Sequence, residues 1–370
     1  MKRKFDLLTL VLSSVTVVFF TVMFFVLPHK DFSQKENRTL SGVPFFTLEK
    51  LISGKYTSDL SGYINDQFPS RDSFVAVKAY SELAQGKLEN NGIIYAQNDT
   101  LIAKDELTDS LLDSNLSAVK AFEDAVGIPV YLCVLPRSVD VFSEYLPDTY
   151  PTETNTNLWN SFYKKSQKLG IITPNLYEPL CKENNYYKTD HHYNSYGAYQ
   201  TYKILAETLN YKPEKLDFFN EETVSTDFCG TSMRASGFYF APRDSITLFR
   251  YDGDDLYNII ADGKKITLYD FSKLETTDKY AAFLGGNHAR VDITSNTEKP
   301  KMLLIRDSFA DSLAPFLAIH YDLTLIDLRY YTDSVQQLVI DEEFDCVAVL
   351  ENMSEFAQNK NISYLRRPPQ

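Results

Sequence analysis

The sequence predicts an α/β fold built on a parallel sheet, because strand-like and helix-like segments alternate toward its carboxyl end. Met302–Ile305, Leu323–Ile326 and Cys346–Leu350 are short apolar runs of strand length. Two segments with apolar residues at helical spacing, Phe309–His320 and Thr332–Ile340, separate these runs. A β-α-β-α-β series of this kind is typical of a parallel sheet with right-handed crossovers and helices on both faces.

The alternation is less regular in the preceding part of the chain. There we predict three helices and one strand: Leu107–Ala125, Asn157–Leu169 and Ser195–Leu209 as helices, and Pro129–Leu135 as a strand. A strand-rich stretch at about 211–299 follows. We expect this stretch to be an insertion in a body that covers residues 91–370.

A long uncharged segment lies near the amino end. Leu7–Leu27 contains no charged residue and only five serines or threonines, and it would span about 31 Å as a helix, enough to cross a bilayer. The basic residues of 1–6 predict a cytoplasmic tail, which places everything after the anchor outside the cell. A cleaved signal peptide is the alternative, but the run is long for one and lacks a small-x-small cleavage pattern. Residues 28–90 are then a juxtamembrane segment.

The composition excludes some function classes. The chain has 370 residues, with 37 Lys and Arg against 50 Asp and Glu, which gives a formal charge of -13. No basic stripe lies outside the extreme termini, so a nucleic-acid partner is not expected. The 25 Tyr and 25 Phe residues suit a core and also suit a carbohydrate-facing surface. Four widely spread cysteines form no C-x-x-C pair.

The segment Arg306-Asp307-Ser308 supplies a candidate nucleophile. It lies between a predicted strand and a predicted helix, which places Ser308 on a sharp turn at the carboxyl edge of the sheet. There the amides and the positive end of the next helix could stabilise an oxyanion. The ordinary alternative is that Ser308 only caps that helix.

Asp190-His191-His192 supplies the other two groups that a serine nucleophile needs. Residues two apart in an extended stretch point the same way, so Asp190 could orient the imidazole of His192 as a general base. Two alternatives stay open. Asp190 could instead cap the helix that begins near Ser195, or the cluster could bind zinc or iron, although no further ligands occur at a recognisable spacing.

With these residues in view, the chain resembles a known bacterial family. Asp190-His191-His192-Tyr193-Asn194-Ser195-Tyr196-Gly197-Ala198 resembles the signature of the DHHW proteins, with Tyr193 where the family usually has tryptophan. Further segments also resemble this family: Glu36-Asn37-Arg38, Asp66–Asp72, Asn91-Gly92-Ile93, Phe228-Cys229-Gly230-Thr231, Gly285-Gly286-Asn287 and Asp327–Tyr331.

The resemblance implies a fold and a chemistry. DHHW proteins are similar to the SGNH-hydrolase-like alginate O-acetyltransferase group, so we expect a permuted SGNH-like sandwich with a parallel sheet, preceded by one transmembrane helix. Such proteins acetylate exported polysaccharides through a Ser-His-Asp triad. The resemblance also implies a membrane-bound O-acyltransferase as donor partner. We expect neither a metal nor another cofactor.

Four further residues are candidates for substrate binding. Gly286 and Asn287 could offer an oxyanion donor, or they could form a hairpin turn. Arg137, at the end of a predicted strand, could pair with an anionic group, or it could simply be solvated. Tyr193 is expected to form an aromatic wall for the acceptor.

Two functions from different classes follow from these residues. The first is an anchored extracellular O-acetyltransferase or acetylesterase, in which Ser308 is acylated, His192 transfers protons and Asp190 orients His192. The second is a non-catalytic glycan-binding or assembly component that keeps the fold, with Asp190 and His192 holding a loop.

Overall fold

A computed structural model of the chain describes residues 2–33, 35–36, 38–105, 107, 111–151, 153–183 and 185–369. Two sequence predictions lie partly outside these residues, namely Asn37 in the Glu36–Arg38 segment and residues 108–110 in the predicted helix Leu107–Ala125. The chain divides into two compact units. The N-terminal unit comprises the described residues up to Asn90 together with Arg234–Phe240, and the main unit comprises the others from Asn91 onward.

The N-terminal unit is mostly helical. Its elements are α1 (Lys2–Val26), β1 (Phe32–Ser33), β2 (Arg38–Thr39), α2 (Leu48–Ile52), α3 (Lys55–Asp66), α4 (Arg71–Ala84) and β3 (Glu89–Asn90). In α1, the stretch Asp6–Val26 is long and apolar enough to cross a membrane, and its most apolar part is not buried against protein. The predicted apolar span is therefore a continuous helix from Leu7 to Val26, and only Leu27 lies beyond it.

The main unit alternates strands and helices. Its first half contains β4 (Ile93–Tyr95), β5 (Leu101–Ala103), α5 (Leu112–Val126), β6 (Val130–Leu135), α6 (Ser138–Val141), α7 (Glu153–Leu169), α8 (Tyr177–Glu183) and α9 (Ser195–Thr208). Its second half contains β7 (Asn220–Phe228), α10 (Thr231–Ser236, which ends in the N-terminal unit), β8 (Asp244–Arg250), β9 (Asn258–Ala261), β10 (Lys264–Ile266), β11 (Arg290–Thr294), β12 (Lys301–Arg306), α11 (Ala310–Leu317), β13 (Asp322–Ile326), α12 (Val335–Glu342), β14 (Cys346–Asn352) and α13 (Met353–Gln358).

The central sheet has the strand order β10-β9-β11-β13-β12-β14-β6. Its half from β13 to β6 is parallel, as the β-α-β alternation predicted. The sheet as a whole is mixed and not only the parallel sheet expected, because β11, β9 and β10 run antiparallel to their neighbours. A tight turn at Asp262 and Gly263, both with positive φ, joins β9 to β10 and forces that pair to be antiparallel.

The region expected to be a strand-rich insertion divides between two sheets. Strands β9, β10 and β11 extend the central sheet, whereas β7 and β8 form a separate two-stranded antiparallel sheet. The sheet is consequently mixed, with seven strands among the described residues.

Both faces of the sheet are covered, and each has its own core. Along β12, Met302 and Leu304 pack into one cluster and Leu303 and Ile305 into the other, as expected when successive side chains of a strand point to opposite faces. Helices α9 and α11 contribute to the first cluster, and α5, α7, α12 and α13 contribute to the second. The parallel strands are thereby buried on both sides, and their carboxyl ends meet at one edge.

Candidate active site

The turn that carries Ser308 is fixed by its neighbour Asp307. Strand β12 ends at Arg306, which lies opposite Leu350 of β14. The buried carboxylate of Asp307 then accepts hydrogen bonds from the amide of Phe309 (2.9 Å) and from the amide of Asn352 (2.6 Å). Because these amides come from the nucleophile turn and from the end of β14, Asp307 ties the turn to the neighbouring strand.

Among the described residues, the backbone amide of Ser308 has no hydrogen-bond partner. The following amides are engaged, because those of Ala310 and Asp311 donate to the carbonyls of Asp307 and Ser308 at 3.2 Å each. The unengaged amide lies at the amino end of α11, where the helix dipole favours negative charge. It is therefore the backbone donor best suited to an oxyanion at this turn.

His192 lies between Ser308 and Asp190. Its Nε2 is 2.7 Å from the Oγ of Ser308, and its Nδ1 is 2.6 Å from Oδ1 of Asp190. The backbone amide of His192 donates to the same carboxylate oxygen at 3.0 Å. An Nδ1–H donated to Asp190 leaves Nε2 as the acceptor for the Ser308 hydroxyl, which is the tautomer that a general base requires.

Thr231 supports the second oxygen of Asp190. The amide and the hydroxyl of Thr231 donate to Oδ2 at 2.7 and 2.9 Å. Gly230 makes this approach possible, because a Cβ there would lie 2.3 Å from the Cβ of Asp190. Burial alone would raise the pKa of Asp190, but the adjacent His191 and His192, together with these hydrogen bonds, hold its pKa well below the ordinary value. Asp190 is therefore a buried, ionised carboxylate.

Aromatic rings enclose the imidazole of His192. The ring of Tyr280 is stacked on it, with centroids 4.0 Å apart and planes 11° apart, and the ring of Phe309 lies 4.7 Å away. The hydroxyl of Tyr280 donates to the carbonyl of Ser308 and is also 3.1 Å from the Oγ of Ser312. One side chain thus contacts both the base and the backbone of the nucleophile turn.

His191 contacts Thr231 and lies close to His192. The two rings are 3.9 Å apart, and Nδ1 of His191 is 2.7 Å from the hydroxyl of Thr231. Because that hydroxyl donates to Asp190, Nδ1 of His191 must donate to it, which leaves Nε2 of His191 unprotonated. Its side chain is 43% exposed. Burial of part of the ring, together with the neighbouring His192, lowers its pKa.

The two alternative roles of Asp190 can be compared with this geometry. Helix α9 is capped by Asn194, whose side chain accepts from the amides of Tyr196 and Gly197, so Asp190 is not the cap. Possible ligand atoms of Asp190, His191 and His192 do lie within 4.8 Å of one another. However, the carboxylate of Asp190 already accepts four hydrogen bonds, and a metal would have to displace some of them.

Two residues predicted to bind substrate are engaged within the protein. Tyr193 is fully buried, and its hydroxyl donates to the carbonyl of Phe309 at 2.7 Å. It supports the nucleophile turn from behind and does not form an aromatic wall for an acceptor. Arg137 is also buried, and it donates to both carboxylate oxygens of Asp140 at 2.9 and 2.8 Å. Arg137 is therefore not the solvated arginine of the alternative, and its guanidinium is paired within the protein.

The loop at Gly286 and Asn287 forms a turn that engages the amide of Gly286. The amide of Gly286 donates to the carbonyl of Phe283 at 3.4 Å, within a turn whose positive φ angles fall on Leu284, Gly285 and Gly286. Asn287 is exposed, and its side chain forms no hydrogen bond with the described residues. The turn alternative therefore describes this loop better.

A cluster of buried charges lies next to the nucleophile turn. The guanidinium of Arg306 is completely buried and lies 3.2 Å from Asp311 and 3.8 Å from Asp327. Burial raises the pKa of Asp307 to about 6 and that of Asp311 to about 7, and Arg306 partly offsets the shift of Asp311. Burial likewise raises the pKa of Glu351 well above its ordinary value. All five charged residues of this cluster, Arg306, Asp307, Asp311, Asp327 and Glu351, are buried.

Sequence reasoning did not identify Thr231, Tyr280, Asp307 or Phe309 as parts of the site. Thr231 could have been identified from the sequence, since it ends the family-like segment Phe228–Thr231. Asp307 could also have been identified, because it is adjacent to the candidate nucleophile. No feature of the sequence marked Tyr280 as a site residue, because it lies in an irregular region and is one of 25 tyrosines. Only the folded chain brings it beneath His192.

Together, the mixed α/β fold and the Ser308-His192-Asp190 arrangement define the class of α/β proteins with a serine, histidine and aspartate at the carboxyl edge of the sheet. The DHHW protein family model matches residues 130–326, and the chain belongs to this family. The resemblance drawn from the sequence is thereby confirmed.

Curated relatives of the chain are named as probable alginate O-acetylases. AlgJ of Pseudomonas putida is 21% identical over 172 residues, which are 43% of this chain and 45% of that protein. AlgJ of Pseudomonas fluorescens is 23% identical over 175 residues, or 43% of this chain and 44% of that protein. The chain thus matches less than half the length of these relatives.

Solved structures share the fold at low sequence identity. A DHHW family protein from Eubacterium siraeum superposes with a TM-score of 0.64 at 20% identity, over 76% of this chain and 97% of that one. Bacillus cereus PatB1, solved with a sulfonyl adduct, gives a TM-score of 0.64 at 19% identity, over 74% of this chain and 98% of that one.

Proposed function

We propose that the chain is a membrane-anchored, extracellular serine O-acetyltransferase that acetylates a cell-surface or exported polysaccharide. The observation that carries the proposal is the position of His192, with one ring nitrogen 2.7 Å from the Oγ of Ser308 and the other 2.6 Å from Asp190. This contact joins residues 116 positions apart in the chain. A serine used only as a helix cap has no need of a buried imidazole and carboxylate.

Acylation follows from these contacts. The Oγ of Ser308 attacks the carbonyl carbon of an acetyl ester while Nε2 of His192 takes its proton. Asp190 accepts the hydrogen bond from Nδ1–H and stabilises the imidazolium that forms. The free amide of Ser308 donates to the oxyanion. His192 then returns the proton to the leaving alcohol, the ester C–O bond breaks, and Ser308 carries the acetyl group.

Transfer reverses this sequence with a new alcohol. A sugar hydroxyl gives its proton to His192 and attacks the acetyl group on Ser308, which releases the serine. Water in the same place would give acetate, so an acetylesterase uses the same residues. The AlgJ relatives, named as probable alginate O-acetylases, support a saccharide acceptor.

The proposal extends to the fold and the donor. The Asp190–His192 element precedes Ser308 in the chain, the order expected of a permuted SGNH-like fold, and such constellations depend on geometry more than on chain order. Outside the cell, a membrane-bound O-acyltransferase would supply acetyl groups to Ser308. Helix α1, with a basic segment before it, would hold the chain at the membrane with the main unit outside.

A sulfonyl fluoride tests the nucleophile directly. The Oγ of Ser308 would form a bond to sulfur, fluoride would leave, and the proton would pass to His192. We expect intact-mass spectrometry of the full chain in detergent to show one adduct, and peptide mapping to place it on Ser308. Ser308→Ala and His192→Ala should abolish the adduct.

Ser272→Ala is the matched control, because the exposed hydroxyl of Ser272 hydrogen-bonds the carboxylate of Asp270 and, among the described residues, no imidazole. That variant should still be labelled on Ser308. With p-nitrophenyl acetate as donor, Ser308→Ala should lower the release of p-nitrophenol by about a thousandfold or more. Equal rates in the wild-type and Ser308→Ala chains would favour the non-catalytic, glycan-binding alternative.

An acceptor series separates transfer from hydrolysis. Adding oligosaccharides to the same reaction should speed the release of p-nitrophenol and yield an acetylated saccharide detectable by mass spectrometry. Formation of acetate alone, across uronic-acid and hexosamine oligomers, would identify the chain as an esterase.

A further inference from the structure

The carboxyl-terminal half of α1 packs against aromatic residues that follow it in the chain. The ring of Phe20 is stacked on that of Phe68, with centroids 5.3 Å apart, and makes an edge contact with Phe74 at 5.5 Å. Phe68 and Phe74 also contact each other. Phe20 lies six residues before the end of α1 at Val26, or about 9 Å along the helix axis. These aromatic contacts therefore occur within the depth of the apolar span.

Polar contacts fix the juxtamembrane segment to the end of α1. His29, three residues beyond α1, is 2.8 Å from the hydroxyl of Tyr63 in α3. Gln67 accepts from the amide of Lys30 at 2.9 Å and donates to its carbonyl at 2.8 Å. Gln67 also donates to the carbonyl of Ser41 at 3.1 Å. These contacts hold α3 and Ser41 close to the residues that directly follow α1.

The two family-like segments of this region form one ion-pair network. Arg38 bonds both oxygens of Asp66, at 3.0 and 2.6 Å, and Glu36 receives hydrogen bonds from Arg38 and Arg71. The amide of Ser41 donates to Asp66 at 2.9 Å. The pairing with Arg38 holds the pKa of Asp66 well below its ordinary value. The network therefore fixes the position of Ser41, after which the next segment begins.

That segment exposes a dense apolar patch. The patch comprises Val43, Phe45, Phe46, Leu48, Leu51 and Ile52, whose exposed fractions range from 45% to 86%. It begins two residues after Ser41 and includes the whole apolar face of α2. Phe74 and Val77 of α4 add 47% and 63% exposed side chains. Soluble proteins rarely leave apolar patches of this kind in water.

The exposure is concentrated in this unit. Among the described residues, twelve exposed large apolar side chains lie between Pro28 and Asn90 or in Arg234–Phe240, and eight lie in the main unit, which is much longer. Many of these exposed side chains follow α1 closely in the chain, and the Phe20 contacts lie within the apolar span. Both observations indicate that lipid covers the exposed side chains. At the level of Phe20, the surroundings of a membrane-spanning helix are lipid chains.

We propose that the juxtamembrane segment is itself a membrane-binding element, in which Phe68, Phe74 and the apolar patch from Val43 to Ile52 insert into the interfacial layer of the bilayer that α1 crosses. The inference rests on the membrane anchor of the proposed function. We call this membrane-binding part of the segment the collar. The collar and α1 together hold the chain at the membrane surface. Interfacial elements typically bury their apolar face about 5–10 Å deep.

Tryptophan substitutions and brominated lipids test the collar in the full chain. The only native tryptophan, Trp159, is buried, so it gives a constant background. Phe45→Trp and Phe74→Trp report on the collar, and Phe25→Trp reports on α1, where Phe25 is 78% exposed. Phe271→Trp is the matched control, because Phe271 in the main unit is 47% exposed, the same fraction as Phe74.

With the purified chain in phosphatidylcholine vesicles, we expect bromolipid quenching of F45W and F74W to be comparable to that of F25W and several-fold above that of F271W. If F25W is quenched while F45W and F74W behave like F271W, the collar proposal is wrong and the anchor stands, with a protein partner left as the occupant of the patch. If F25W itself is not quenched, the anchor is wrong and the collar with it.

Discussion

The ring of Tyr280 lies parallel to the imidazole of His192 at 4.0 Å, and its hydroxyl donates to the carbonyl of Ser308 at 3.1 Å. The proposed base and nucleophile are thus held by the same side chain. Burial keeps the phenol protonated by raising the pKa of Tyr280 well above its ordinary value, so it remains a donor at all moderate pH. The electron-rich face of the ring can also stabilise an imidazolium.

Tyr280 can therefore be tested as a positioning residue through two variants. Tyr280→Phe keeps the stacked ring and loses the hydroxyl, whereas Tyr280→Leu loses both. We expect Tyr280→Leu to lower kcat by about 2- to 30-fold more than Tyr280→Phe, because a stacked cation–π contact is worth about 0.5–2 kcal/mol. Equal kcat values in the two variants would contradict this role.

Thr231 is predicted to act through Asp190. Thr231→Val removes the hydroxyl that donates to Asp190 and accepts from His191, and we expect kcat/KM to fall by about 10–100-fold, since hydrogen bonds to charged groups are worth about 1.5–3 kcal/mol. Thr231→Ser keeps the hydroxyl and is the control. A loss in Thr231→Ser as large as that in Thr231→Val would contradict a role specific to the hydroxyl.

The same substitution has a pH signature. The pKa of Asp190 is lowered by folding, so its contribution to stability is present above the ordinary pKa and is lost as pH falls through the folded pKa. Thr231→Val removes one donor and raises that folded pKa. Its acid unfolding, followed by circular dichroism, should begin at a higher pH than that of the wild type or Thr231→Ser.

Arg306 is predicted to be essential to the buried charge cluster. Arg306→Met leaves Asp311 and Asp327 without this cation in the interior, and we expect the free energy of unfolding to fall by about 3–5 kcal/mol. The double variant Arg306→Met/Asp311→Leu should recover much of the loss, because both members of the closer pair are then apolar. Denaturant unfolding of the full chain in detergent measures both.

Arg290→Met is the comparison for Arg306. Arg290 also pairs with two carboxylates, Asp292 and Glu342, but its side chain is 31% exposed. Its loss should cost about 1 kcal/mol or less. A similar cost for Arg306→Met and Arg290→Met would mean that burial of the Arg306 cluster carries no special energetic weight.

Glu351 should make the folded chain less stable as pH rises. Burial, followed by the nearby Asp307 and Glu355, raises the pKa of Glu351 well above the ordinary 4.5. The folded state then holds this proton more tightly than the unfolded state, so stability falls as pH rises from that ordinary value toward the folded pKa. Glu351→Gln resembles the protonated acid and should remove this part of the slope.

Denaturation midpoints at pH 5, 7 and 8.5 would check the effect of Glu351→Gln. The variant should match the wild type near pH 5 and exceed it at the higher values. Glu298→Gln, at an exposed glutamate, should keep the wild-type slope and so correct for the net charge of the chain. Parallel slopes for Glu351→Gln and the wild type would refute the prediction.

Much of the central architecture was predictable because it depends on local patterns. The strands around Ile305, Ile326 and Leu350 and the helix that begins at Ser195 follow from apolar periodicity and turn residues. The antiparallel half of the sheet was not predictable, because the pairing of β9 and β11 depends on a turn and on long-range contacts. Local periodicity carries no information on strand direction.

The sequence by itself determined the residue types available for chemistry, the apolar span and the strand-to-helix turn at Ser308, because each depends on neighbours in the chain. Only the tertiary structure decided which side chains meet. It enclosed Tyr193 and Arg137 in the interior, engaged the Gly286 amide in a turn, and brought Thr231 and Tyr280 to the proposed site. Those outcomes depend on packing between segments far apart in the chain, where close approach is set by the whole fold and not by any single stretch of residues.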